Sequence, residues 1–216
     1  MNFYVLIDFF LHIDTHLSAL VHAYSFWAYA IIFVMIFIET GLVVTPFLPG
    51  DSLIFAVGAL AAGGSPSYIA LVVLMLIAAA VGGDTVNYGI GHLLREKVRN
   101  RENIPLVKAE YIDRAQSFFE RHGGKAVTIA RFIPIIRTFA PFVAGVGEMK
   151  YRRFLGYNVA GGAMWVSLMF SIGFFFGNIP AVKNHFGLVV IAIIVISVLP
   201  AAVPFVKSRL RRVDAA

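Results

Sequence analysis

"AVTIARFIPIIRTFAPFVAGVGEM", residues 126–149, is long and apolar enough to cross a bilayer, yet it carries Arg131 and Arg137 and is interrupted by Pro134 and Pro141. A charge at membrane depth is expensive, and a broken helix there leaves backbone N–H and C=O groups without partners. Its flanks decide how it runs. Eight of the chain's 18 Lys and Arg lie between Arg95 and Lys125, Lys150, Arg152 and Arg153 follow directly, and four more fall between Lys207 and Arg212. Short basic segments beside apolar spans stay in the cytoplasm, so all three are placed there. A stretch that starts and ends on one side of the membrane does not cross it. Residues 126–149 are therefore predicted to form a re-entrant hairpin, which is tolerated only where its irregular backbone is buried in protein or lines a wet cavity.

Composition supports the choice of solvent. With 216 residues, 59% of them hydrophobic and 14% charged, and a mean hydropathy of +0.82, the chain reads as one polytopic membrane domain, 1–216, with no room for a separate soluble unit. The absence of Lys and Arg before Arg95 argues against a cleavable leader, which needs a basic start. There is no cysteine, which excludes disulfides and thiolate metal sites. The net charge of +6 is read as orientation and contact with anionic headgroups rather than nucleic-acid binding, since no aromatic-basic module accompanies it.

Residues 2–24 place Asp8, His12, Thr15, His16 and His22 among Phe, Leu and Ile at near-helical spacing, the pattern of an amphipathic helix. Only His12 and His16 have ligand spacing, so the stripe is read as wet and polar, and no metal or cofactor is expected. Residues 95–125 form a cytoplasmic amphipathic linker with Tyr111, Ala115, Phe118 and Phe119 on its apolar side and Gly123-Gly124 at its end. Runs at 68–94, 154–177 and 186–206 are full spans. The two halves share one grammar. Residues 26–62, like 126–149, place an apolar helix before a Pro-rich break (Pro46, Pro49, Gly50) and a small-residue helix after it.

The predicted fold is thus all-α and polytopic: two re-entrant hairpins in inverted repeats (1–94 and 126–216), about three full transmembrane helices, and amphipathic surface helices. Pro46 to Pro49 would face Pro134 to Arg137 near mid-membrane, and the C-terminus would be cytoplasmic. The side of the N-terminus stays open, and a homo-oligomer is compatible with the pattern.

That arrangement gives the charges partners. Glu39 and Asp51 from the first hairpin would meet Arg131 and Arg137 from the second. Burying four charges to gain stability alone is a poor exchange, because desolvation commonly cancels the Coulomb attraction, so a functional reason is favoured over a structural ion-pair cluster. Arginine offers a planar fork of donors suited to phosphate, and Pro134 between Arg131 and Arg137 bends the segment so that both forks reach one anion. The two carboxylates are the proton-coupling candidates: their hold on a proton depends on whether phosphate has taken the arginines. Asp84, with Tyr88 one turn along, is a supporting candidate in "GGDTVNYGIG", residues 82–91, where close helix packing and a transport role stay equally open. The run from Trp165 to Gly177 reads as helix packing and interface anchoring.

"ETGLVVTPFLPGDSLIFAVGALA" (39–61), "GGDTVNYGIG", "FFERHGGKAVTIARFIPIIRTFAPFVAGVGEM" (118–149) and the Trp165 to Gly177 pattern together resemble the DedA family of bacterial membrane proteins over essentially the whole chain. The resemblance implies a multi-pass protein of the bacterial cell (inner) membrane, related to scramblase-like VTT proteins. It also implies a flippase or transporter of lipid linked to the proton-motive force, moving undecaprenyl phosphate or a phospholipid such as phosphatidylethanolamine and supporting envelope integrity and cell division. It puts the family's acid pair on Glu39 and Asp51 and its arginine pair on Arg131 and Arg137. The expected partners are a phosphate-bearing lipid, protons and the membrane.

Two other classes compete with a transporter. An intramembrane hydrolase would use Asp51 and Asp84, but Val81-Gly82-Gly83-Asp84 departs from the Gly-x-Gly-Asp signature and no HExxH or GxSxG is present, so an enzyme is not expected. A non-transporting assembly factor is the third class, which four buried charges disfavour.

Overall fold

The computed structural model describes residues 13–42, 50–61, 65–100, 109–133, 136–177 and 179–183, with positions 188, 189 and 192 beyond, and side chains from Trp27 onward. The described chain is helical, with no strand among the described residues. Its helices are α1 (Ile13–Gly41), α2 (Gly50–Ala61), α3 (Pro66–Leu93), α4 (Arg95–Arg99), α5 (Ala109–His122), α6 (Ala126–Ala130), α7 (Ile136–Val146), α8 (Tyr151–Phe176) and α9 (Pro180–Lys183), with a 3₁₀ turn at Gly123–Lys125.

Among the described residues, two helices are long and apolar enough to cross a membrane, Tyr68–Leu93 within α3 and Tyr151–Phe176 in α8. At 26 residues each they reach about 39 Å, more than the roughly 30 Å hydrocarbon core. Their outward positions carry Leu71, Leu74, Met164 and Phe175, all exposed, the surface expected of helices solvated by lipid. Ser65 caps α3 and Pro66 opens it, where a missing N–H costs nothing. The helices α2 (12 residues) and α7 (11 residues) are short, about 18 and 16 Å, and neither reaches across.

The core lies where these elements cross. Ile32 and Ile36 of α1, Ile54 and Val57 of α2, Val72, Leu76, Ala79 and Ala80 of α3, and Trp165, Val166 and Phe170 of α8 form one buried cluster. The short helices pack crosswise: α2 lies mainly along α8, and α7 along α3, while α1 lines α3 and α6 lines α8. Each crosswise contact is closed by a pair of glycines. A Cβ on Gly58 would meet the Phe170 carbonyl and one on Gly173 the Phe55 carbonyl; on the other side, Gly145 faces the carbonyl of Tyr88 and Gly91 that of Phe142. Only residues without a Cβ allow backbones so near, and the two crossings repeat one reciprocal pattern, with partners three residues apart on every helix.

Two expectations change. Residues 13–41 form one continuous helix rather than an amphipathic helix ending near 24 and a separate segment from 26, because no Gly or Pro interrupts that run before Gly41. Pro141 does not break its helix. It sits inside α7 and removes the helical bond to the Arg137 carbonyl, and the helix continues because every residue from Thr138 to Gly145 is buried. The apolar side of α5 packs on protein: Ile112 and Ala115 lie with Phe139, Phe142 and Val143, Phe119 partly joins them, and Phe118 lies against the His122 ring. Gly123, with φ of 56°, ends α5 as expected. His12, the side chains of His16, His22 and Tyr111, Pro46, Pro49 and Pro134, and most of the 186–206 span lie outside the described residues.

Candidate functional site

Glu39 comes from the last turn of α1, Asp51 from the first turn of α2, Asp84 from mid-α3, Arg131 from the end of α6, Arg137 from the start of α7 and Trp165 from mid-α8. Glu39, Asp84, Arg131, Arg137 and Trp165 line one small cavity with Thr40 and Thr138. Glu39, Asp51, Arg131 and Arg137 sit at helix ends because the breaks put them there, while Asp84 comes from within the unbroken α3. A helix interrupted inside the protein turns its terminal side chains toward the gap.

Arg137 is the hub. Its Nη1 donates to both oxygens of Asp51 at 3.0 Å, and its Nη2 donates to Glu39 Oε1 at 2.5 Å. One guanidinium thus clamps two carboxylates, the geometry lysine cannot supply. Glu39 is 5% exposed. Its Oε2 rests against Gly50, where any Cβ would overlap the carboxylate. That contact explains why glycine follows the proline break: it lets the start of α2 approach the acid.

Arg131 is occupied differently from expectation. Its Nη2 donates to Asp84 Oδ2, to Asn158 Oδ1 at 2.6 Å and to the Ala80 carbonyl at 3.4 Å. Asn158 in turn donates to the Val81 carbonyl at 3.0 Å. Arg131 is 6% exposed, yet its Nε has no hydrogen-bond partner among the described residues. Gly161 and Gly162 on α8 make room for its stem, since a Cβ on Gly161 would come within 3.2 Å of Arg131 Cδ.

The site therefore holds two ion-pair groups, Glu39–Arg137–Asp51 and Arg131–Asp84, rather than Glu39 and Asp51 shared between both arginines. Asp84 is a full member of the constellation. Tyr88 is not: its hydroxyl donates to the Met149 carbonyl at 2.5 Å and its ring stacks on Phe154, away from the charges. Trp165, read from the sequence as packing, has its ring against both guanidiniums, at 5.8 Å from Arg131 and 5.6 Å from Arg137, and donates from Nε1 to Asp51 Oδ1 at 2.8 Å. Asn87, fully buried, donates to the carbonyls of Thr40 and Thr138 at 3.0 and 2.9 Å and so ties the end of α1 to the start of α7. Asn87, Asn158 and Trp165 carry no charge; Asn87 lies in the polar patch at 82–91 and Trp165 opens the run to Gly177, but their place at the cluster depends on which helices cross.

A family description, the VTT domain, matches residues 48–175, which takes in every member of the constellation except Glu39, just ahead of it. The chain belongs to the DedA family of VTT-domain proteins. It is 52% identical over 208 residues to protein DedA of Escherichia coli K12, spanning 95% of this chain and 94% of that one. It is 39% identical to an uncharacterized membrane protein of Mycobacterium tuberculosis H37Rv, over 80% of this chain and 76% of the other. It is 34% identical to the inner membrane protein YghB of E. coli K12, over 82% and 78%. No solved structure matches. DedA-family names and the two long apolar helices agree on location: this is a membrane protein.

Proposed function

We propose that the chain is a proton-coupled transporter that moves a phosphate-bearing lipid between the leaflets of the bacterial inner membrane, with undecaprenyl phosphate or a phospholipid as cargo. The observation that carries this reading is the clamp of Arg137 by Glu39 and Asp51 beside a second buried arginine whose Nε has no partner among the described residues. Both guanidiniums line the same cavity. Guanidinium forks bind carboxylate and phosphate by the same bidentate geometry, so a headgroup phosphate competes directly with Glu39 and Asp51 for Arg137 and finds further donors on Arg131.

Charge balance supplies the coupling. Three carboxylates (Glu39, Asp51, Asp84) against two guanidiniums (Arg131, Arg137) leave one negative charge in excess when all are ionised. One proton makes the buried cluster neutral, and each negative charge that phosphate adds is balanced by one more proton. A low-dielectric site enforces such neutrality, because an uncompensated charge there costs several kcal/mol. Lipid and proton then move together.

The topology fits alternating access. Helices α1 and α2 form one re-entrant hairpin and α6 and α7 the other, in inverted repeats, and with the 186–206 span the chain makes about three crossings with its C-terminus in the cytoplasm. Supporting this are the shortness of α2 and α7 and the reciprocal glycine crossings that place the last arm of each hairpin on the long helix of the opposite half. A homo-oligomer is compatible with this arrangement.

An aspartyl hydrolase fits less well. Asp51 and Asp84 are each paired to a different arginine, whereas an aspartyl dyad needs two carboxylates sharing one proton. The test is purified protein in liposomes, assayed for leaflet accessibility of candidate lipids. Redistribution of intact lipid is expected. Loss of headgroup phosphate would show a hydrolase, and neither change would leave an assembly factor.

A further inference from the structure

An exchange of carboxylate for phosphate on Arg137 leaves a problem that the rest of the site must solve. Asp51, 13% exposed at its side chain, loses both Nη1 contacts at once when the fork turns to an incoming anion. Each donor lost from a buried carboxylate costs free energy, so a donor outside the arginines that stays with Asp51 lowers the cost of the exchange.

We propose that Trp165 is the positioning residue of this exchange: its indole N–H keeps Asp51 hydrogen-bonded while phosphate occupies the Arg137 fork, and its ring holds both guanidiniums at one site. The proposal rests on the phosphate-exchange reading above. Nε1 of Trp165 donates to Oδ1 of Asp51 at 2.8 Å, and an indole N–H, unlike a guanidinium, has no affinity for a second anion strong enough to desert the first. The ring is 3% exposed, and both arginine Cζ atoms lie within 6 Å of its centroid, at 5.8 and 5.6 Å. A π face attracts cations without neutralising them, so it steadies two like charges near each other and leaves their N–H forks available to an anion. Trp165 also comes from α8, whereas Asp51 starts α2, which packs along α8. The N–H therefore travels with the helix against which Asp51 is already docked.

The test titrates dodecyl phosphate into the detergent-solubilised full chain and reads the apparent Kd from thermal stabilisation, for wild type, Trp165→Phe, Asp51→Asn and the double variant. Phe keeps an aromatic face and removes the N–H. Trp165→Phe should weaken binding on the order of tenfold, the effect of losing a hydrogen bond to a charged group. In the Asp51→Asn background, where no carboxylate is left to hold, the same substitution should change Kd by less than about threefold. Equal losses in both backgrounds, or no loss in either, would reduce Trp165 to packing and overturn the proposal while leaving the phosphate reading intact. If dodecyl phosphate fails to stabilise the wild type, the phosphate reading falls and the exchange with it. A second readout covers a Phe variant that does not fold: Trp27→Phe leaves Trp165 as the only indole of the two in the chain. Its emission should shift across the dodecyl phosphate titration, and an emission unchanged at saturation would contradict a ring in contact with the exchanging groups.

Discussion

Arg137 carries two carboxylates on one planar group, and that fact sets the expected cost of replacing it. Arg137→Lys keeps the charge but offers a single ammonium where three N–H contacts now reach Glu39 and Asp51. Lipid transport should fall by about tenfold or more at equal protein abundance, and the same holds for Arg131→Lys; full activity in both variants would end the phosphate-clamp role. Gly50→Ala should also impair the site, because the added methyl displaces the Glu39 carboxylate. A side-chain clash of this kind costs roughly 1–3 kcal/mol, measurable as a lower melting midpoint in detergent, and an unchanged midpoint would contradict the close approach. At this scale Glu39, Asp51, Arg131 and Arg137 were legible in the sequence, since charges beside proline breaks in an apolar run must find their partners inside the protein. Their pairing was not. That Arg131 takes Asp84 and leaves Asp51 to Arg137 depends on which helices cross, and spacing along a chain does not encode crossings.

The helices hold that constellation through contacts that carry no charge. Gly58 and Gly145 each face a backbone carbonyl on the opposite long helix, and replacing either with leucine should separate the crossing pair. The expected result is loss of folded protein in membranes for both variants to a similar degree, because the two crossings are equivalent. A large loss for one and none for the other would contradict the reciprocal packing. Asn87→Leu removes both donors that join the Thr40 and Thr138 carbonyls and should destabilise the fold by about 1–3 kcal/mol. The long helices and the Gly-ended linker were readable from apolar run length and glycine placement. The run of α1 through residues 13–41 and of α7 through Pro141 was not, because sequence marks where a helix can stop, while burial decides where it continues.

For the whole molecule, the proposed transporter joins a charge-balanced cavity to two hairpins that enter from opposite faces. A topology reporter placed after Glu148 should be cytoplasmic, as should one at Glu102, and an external signal at Glu148 would remove the second hairpin and the access mechanism with it. Membrane class and helical fold were legible at this scale because composition and run length determine them. The proposed inverted repeats rest on a repeated grammar of breaks in the sequence, and the reciprocal glycine–carbonyl crossings support that reading.

If protons and phosphate-bearing lipid exchange on one cluster, transport depends on an imposed pH gradient through that cluster's carboxylates. Equal amounts of reconstituted wild type, Glu39→Gln and Asp51→Asn are compared, since an amide occupies the carboxylate's volume and does not change protonation. Wild-type lipid redistribution should respond to the gradient, and both amide variants should lose that response even where they still bind lipid. Variants that respond to the gradient as the wild type does would place the proton site elsewhere and leave the cluster as architecture.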